Sequence, residues 1–321
     1  MNLFEQIKNI PKVDMHINLT GSISTFLASS LDENKNILDI LNMMQEKNYM
    51  DYENSLKLPI EILENPKNIS LAVDNLIDNL KENNVIYAEL FLDLFIYNKR
   101  LDEELILTTV LNTINNRNFN MQVVLVMDSN REKDENLHTL DIFFKYYNHG
   151  VNGIYFHKDK MANLNDYVYI FDRLIKNNYP YIVNMNSKET KWDEEIYLNA
   201  KRIIYSLSTY DELFLNKIRK NNILLEFSIT RFKENKVFDD LKNYFIYDLI
   251  KENLNLTITS GDMTTTNTDI INEWCLLFNN YPIKLHDMIK IINNNLMKAN
   301  IDDKIKEKLI SELRDKSNLV L

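Results

Sequence analysis

Short apolar runs bounded by polar turns recur along the chain at 13–19 (VDMHINL), 85–94 (VIYAELFLDL), 121–128 (MQVVLVMD), 152–157 (NGIYFH), 181–186 (YIVNMN), 202–207 (RIIYSL), 223–229 (ILLEFSI) and 256–262 (LTITSGD). Their length and their content of Ile, Val, Tyr and Phe predict strands buried on both faces, the habit of parallel sheets. Between them, the segments 70–83, 104–117, 136–148 and 164–178 place apolar residues three and four apart, the period of an amphipathic helix. The segments 210–222, 239–253, 268–281 and 284–300 continue the alternation to the end. Eight strands alternating with helices over 321 residues predict an α/β fold of the (β/α)8 barrel class, with a doubly wound open sheet as the competing arrangement. No Pro/Gly/Ser-rich boundary divides the chain, so the expectation is one domain over 1–321, with extra helices after the first strand and at the C-terminus.

Composition narrows the function classes. A net charge of −10 opposes attraction to nucleic acid and to anionic lipid, and the lysines are scattered among acidic residues and asparagines, as on solvated helix faces. The opening MNLFEQIKNIPKVDMH lacks a continuous apolar run, and no later stretch reaches the roughly 20 apolar residues that span a bilayer, so the expected setting is the cytoplasm. Cys275, the single cysteine, excludes internal disulfides and any multi-cysteine zinc site, and reads as a buried structural thiol. Glycine is scarce, with four in the chain, while asparagine is abundant. Asparagine tolerates the left-handed backbone region better than most residues and is expected to stand at helix ends where glycine would.

In a barrel, chemistry gathers at the C-terminal ends of the strands. Those ends carry His16 to Gly21, Glu89 to Asp93, His157 to Asp159, Asn184 to Glu189, Tyr205 and Ser206, Glu226 to Thr230, and Ser260 to Met263. Glu89 and Glu226 lie inside apolar strands, where an unpaired carboxylate is costly, so each is expected to meet a cation or a polar mouth. His138, His149 and His286 fall in helices or turns and read as ordinary surface or core histidines.

The segments PKVDMHINLTGS (11–22), VIYAEL (85–90), AKRIIYS (200–206), LLEFSITR (224–231) and TSGDMT (259–264), in that order at these ends, resemble the motifs of the adenosine deaminase family of the amidohydrolase superfamily. PKVDMHINLTGS (11–22) is similar to the opening motif in which Lys is followed by Glu or Asp and then by His-x-His-Leu-x-Gly. VIYAEL (85–90) is similar to a Tyr-x-Glu segment, and GVNGIYFHKDK (150–160) stands where the family has a Gly-Ile-Asp-Leu strand. AKRIIYS (200–206) resembles Arg-Ile-Gly-His-Gly, LLEFSITR (224–231) resembles Glu-x-Cys-Pro-Thr-Ser, and TSGDMT (259–264) resembles Thr-Asp-Asp-Pro. The matches keep the family order over nearly the whole chain. The resemblance implies a TIM barrel and a zinc ion that turns water into the hydroxide attacking the purine C6.

Carried over residue by residue, the resemblance implies a site with most of that machinery replaced. His16 fits the first zinc ligand, the second falls on Asn18, and Asn184 or Asn186 stands for a third, histidine ligand. Gly261 takes the place of the ligating aspartate, while Asp262 keeps the place that holds the purine. Glu189, in a shifted register, is the candidate for the catalytic glutamate; Tyr205 replaces a histidine; Thr20 replaces a substrate-contacting aspartate; Gly21 is kept. Carboxamides are poor zinc donors beside imidazole and carboxylate, so no cofactor is expected.

The leading expectation is a deaminase relative with impaired or lost catalysis that keeps a small-molecule site, for a purine nucleoside, built from His16, Asn18, Thr20, Gly21, Tyr205 and Asp262. A purine there would pack against Tyr155, Phe156 and Tyr205 as far as these face inward. One alternative is an active hydrolase with a rewired metal site of His16, His157, Asp262 and Glu189. The other is a barrel that serves as a scaffold for a protein partner.

Overall fold

The computed structural model describes residues 1–32, 35–46, 51–96, 101–186, 191–207, 209, 211–234, 241 and 244–320. Eight strands run β1 (Lys12–Asn18), β2 (Val85–Leu92), β3 (Met121–Asp128), β4 (Val151–His157), β5 (Tyr181–Met185), β6 (Arg202–Tyr205), β7 (Leu224–Phe227) and β8 (Leu256–Ile258). Each pairs in parallel with the next, in the order of the sequence. The ring closes just past β8, where Ile17 bridges to Gly261: Gly261 N donates to the His16 carbonyl at 2.9 Å and Asn18 N to the Gly261 carbonyl at 3.0 Å. This is the (β/α)8 TIM barrel, and the open-sheet alternative is excluded.

The eight apolar runs coincide with the strands to within a few residues, because strands covered on one side by helices and filled on the other have no face turned to solvent. β2 shows this most fully, with every residue from Val85 to Leu92 buried. Phe91, Val124, Tyr155 and Ile182 meet inside the barrel, with Val126 and Ile204 against them. The outer layer packs helices such as Pro66–Glu82, Glu103–Arg117, Lys133–Tyr146 and Val168–Lys176 onto the strands. Among the described residues, four short helices between Thr25 and Ile62 follow β1, and Leu285–Lys298 and Asp303–Asn318 come last. Of the periodic segment 239–253, Ile246–Lys251 is helical, while 239, 240, 242 and 243 lie outside the described residues. No helix among the described residues is long and apolar enough to cross a membrane.

Asparagine does stand in for glycine. Among the described residues every non-glycine with positive φ is an asparagine: Asn84, Asn118, Asn148, Asn178, Asn222, Asn253 and Asn267. The first six each follow the C-terminal end of a helix, where the chain must turn through the left-handed region before the next strand.

One buried carboxylate ties the end of β7 to the helix Ile270–Asn280. Glu273 accepts from Ile229 N at 2.5 Å, from Thr230 N at 3.3 Å and from Thr268 Oγ1 at 3.0 Å. Burial pushes its pKa up from 4.5 to about 7, against the pull of these donors. The folded state therefore holds this proton where the unfolded chain has released it, and the group's contribution to stability falls as pH rises from about 4.5 to about 7. The deficit of Glu273→Gln relative to wild type is expected to shrink by about 3 kcal/mol over that window. Urea unfolding of both proteins at intervals of pH measures it, and a difference that does not vary with pH contradicts it.

Candidate functional site

The barrel interior holds a column of paired charges beneath its mouth. Arg202, at the start of β6, donates from Nη2 to Glu89 Oε2 at 2.8 Å. Its Nε stands 3.1 Å from Glu226 Oε2, in ion-pair contact but outside hydrogen-bond alignment. Tyr87 OH donates to Glu89 Oε1 at 2.8 Å, and Asn152 Nδ2 reaches the same oxygen at 3.2 Å. Above this layer His16 Nδ1 lies 2.5 Å from Glu226 Oε1, and its ring stacks on Phe91 at a centroid distance of 3.6 Å. Burial pushes the Glu226 carboxyl up, but His16 and Arg202 overcome that and hold it below the usual carboxylate range. Both strand carboxylates thus meet the same cation.

A second group forms where β7, β8 and the segment after β1 converge. Asp262, 5% exposed, accepts from Arg231 Nη2 at 2.7 Å and from Tyr52 OH at 3.3 Å. Arg231 Nη1 donates to Glu46 Oε1 at 2.5 Å, and the guanidinium lies over the Tyr52 ring at 4.8 Å. Gly21 is forced by this packing, because a Cβ there would stand 2.1 Å from Asp262 Oδ1. Thr20 is buried in the short turn Thr20–Ser22 beside it. A cleft of about 560 Å³, lined by Glu46, Thr230, Thr265, Asn272 and Cys275 among others, lies next to this group and not at the strand ends of β1 to β4. Cys275 is therefore half-buried and lines a cleft, where a buried structural thiol was expected.

The other expected site residues are dispersed. His16 Nε2 faces Asn18 Oδ1 at 3.3 Å, so these two stay together. His157, with its side chain 43% exposed, pairs instead with Asp128 across the ends of β3 and β4, Nδ1 to Oδ2 at 2.9 Å. His16, His157 and Asp262 thus have three different partners, and among the described residues they form no group placed to hold a metal ion. Tyr205 is a second correction. Arg202 and Ile204 point into the barrel, so the alternation of the strand turns Tyr205 outward, where it packs against Phe227 and Phe245 and donates to the Thr209 carbonyl at 2.9 Å. Phe156 is outward too, against Tyr167 and Phe171, whereas Tyr155 faces the interior. Asn184 and Asn186 both staple β5 to the Lys158 backbone, Asn184 through both amide atoms at 2.6 and 2.9 Å. Glu189 lies outside the described residues.

Sequence reasoning missed Arg202, Arg231, Glu46, Tyr52 and Asp128. Arg202 and Arg231 had a signal, each being an arginine at the edge of an apolar run that carries or faces a buried carboxylate; Glu46 and Tyr52 lie in a connection without any motif.

The family model for adenosine deaminase matches residues 11–316. The chain belongs to the adenosine deaminase family. Its similar relatives include the adenosine deaminases of Clostridium kluyveri, 23% identical over 345 aligned positions covering 100% of this chain and 98% of that one, and of Clostridium botulinum strain Okra, 24% identical and covering 96% and 98%. Among solved structures, Arabidopsis ADAL complexed with IMP shares the fold at a TM-score of 0.86 and 15% identity, covering 99% of this chain and 100% of that one. The adenine deaminase of Arthrobacter aurescens does so at 0.82 and 13%, covering 95% and 98%.

Membership in the deaminase family raises the question of zinc, and the described residues do not fit it. No group of three His, Cys, Asp or Glu among them is placed to hold a metal ion. His16 offers Nε2 alone, since Nδ1 is taken by Glu226, and the neighbouring donor is the Asn18 carboxamide oxygen. Gly261 has no side chain to offer. Asp262 is engaged by Arg231 and Tyr52.

Proposed function

We propose that this member of the adenosine deaminase family does not deaminate, and that its barrel mouth holds a purine-type small molecule. The observation that carries the reading is the donor set at the strand ends. Where the family resemblance asks for imidazole and carboxylate, the chain has Asn18, Asn184 or Asn186, and Gly261; His16 is left as a lone imidazole through Nε2, and Asp262 is paired with Arg231. Without a tightly held cation, water keeps a pKa near 16 in place of about 7, and no hydroxide is available for attack on a purine at neutral pH.

The ligand half of the reading is supported by the aromatic and imidazole rings that stand together in the upper barrel. Tyr155 lies inside the barrel between His16 and His157, at ring distances of 6.0 and 6.1 Å. Such a wall, with a few convergent hydrogen-bonding groups, suits a flat heterocycle. The test combines zinc analysis of protein purified without chelator with a chromatographic assay for conversion of adenosine to inosine. The expected result is zinc below one equivalent and no conversion above background. Full zinc occupancy with turnover that chelators abolish would falsify the reading.

A further inference from the structure

Resting on that purine reading, we propose that the site selects 6-oxopurines over 6-aminopurines, and that Arg231 is the residue that reads the difference. Arg231 is held from both ends, Nη1 by Glu46 and Nη2 by Asp262, and is backed by the face of Tyr52. A guanidinium carries five N–H groups in a rigid fork. Two are used here, and the other three have no partner among the described residues, while the side chain is 21% exposed.

Asp262 is the reverse case. Both of its oxygens already accept, one from Arg231 and one from Tyr52, and its side chain is nearly sealed. The surface that this pair presents to a ligand is therefore one of donors. A 6-oxopurine sets two acceptors, O6 and N7, side by side on one edge, at the spacing that two N–H groups of a guanidinium match. A 6-aminopurine keeps N7 but replaces O6 with an amino donor, which would face N–H groups and lose its own partner. The discrimination comes from the fork, so a lysine at the same place, a point charge without fixed donor geometry, would not supply it.

Isothermal titration of the full chain with inosine and with adenosine, in chelator-treated buffer and with recovered nucleosides checked by chromatography, tests this. Inosine is expected to bind about tenfold more tightly than adenosine. Arg231→Lys, which keeps a cation between Glu46 and Asp262, is expected to bring the two within about twofold. Adenosine binding as tightly as inosine overturns the inference and leaves the purine reading intact. Binding of neither nucleoside at millimolar concentration overturns both. A preference for inosine that Arg231→Lys leaves unchanged removes Arg231 as its source.

Discussion

Arg202→Met is expected to lower the free energy of unfolding by about 3–5 kcal/mol, the range for removing one partner of a buried ion pair. Methionine keeps most of the side-chain volume, so little of the loss comes from a cavity. It comes from Glu89 and Glu226, both buried, which would share the barrel interior without the one cation that stands between them. Tyr87 and Asn152 would still donate to Glu89, and His16 to Glu226, but none of these contacts spans both carboxylates as the guanidinium does. Urea unfolding at pH 7 measures the change. The double variant Arg202→Met/Glu89→Gln is expected to recover part of it, because a neutral amide no longer requires a cation. A single-variant loss under about 1 kcal/mol would mean that the network is solvated and not a closed column of charges.

The sequence made the barrel legible because parallel strands sealed on both faces leave an apolar signature that amphipathic helices do not share. The helix ends were legible through chemistry, since asparagine at φ > 0 repeats at Asn84, Asn118, Asn148, Asn178, Asn222 and Asn253. Glu89 and Glu226 called for a cation or a polar mouth, because an unpaired carboxylate in an apolar strand is costly, and the structure supplies the cation. Which cation was not readable, because Arg202 is 113 residues from Glu89 and only closure of the barrel brings them together.

Tyr205 shows where motif matching and strand phase diverge. The match to Arg-Ile-Gly-His-Gly placed it at the mouth, yet Arg202 and Ile204 two residues apart on one face leave Tyr205 on the other. The phase was present in the sequence and would have placed the ring in the outer layer. Gly21 and Asp262 persist together for a reason that motifs alone could not separate from ligand binding: they touch, and only hydrogen at position 21 fits beside the carboxylate. Arg231, by contrast, became visible as a site residue only through its three partners from two other parts of the chain.

Asn18→His combined with Gly261→Asp is expected to give a stoichiometric zinc protein. The retained half of the site is already arranged for it. Glu226 takes His16 Nδ1 at 2.5 Å, the carboxylate–imidazole contact that fixes ring orientation and leaves Nε2 toward a metal. Asn18 lies 3.3 Å from that Nε2, so an imidazole introduced there starts beside the first. At Gly261 an added Cβ meets no atom within 4 Å, and its φ of +68° lies in a region that aspartate tolerates better than most residues. Two imidazoles and a carboxylate make the three protein ligands of a catalytic-type zinc site. Spread over four ligands, structural zinc binding is worth on the order of 3 kcal/mol per ligand, so two added ligands are expected to tighten binding about 10 000-fold or more. Metal content after dialysis and competition with a chromophoric chelator measure the gain without relying on turnover. Adding Glu226→Gln to the double variant is expected to weaken zinc about tenfold or more by releasing the His16 ring. Wild-type protein that competes for zinc as well as the double variant does would mean that ligands other than His16, Asn18 and Gly261 hold the metal, and the proposed loss of deamination would fall with it.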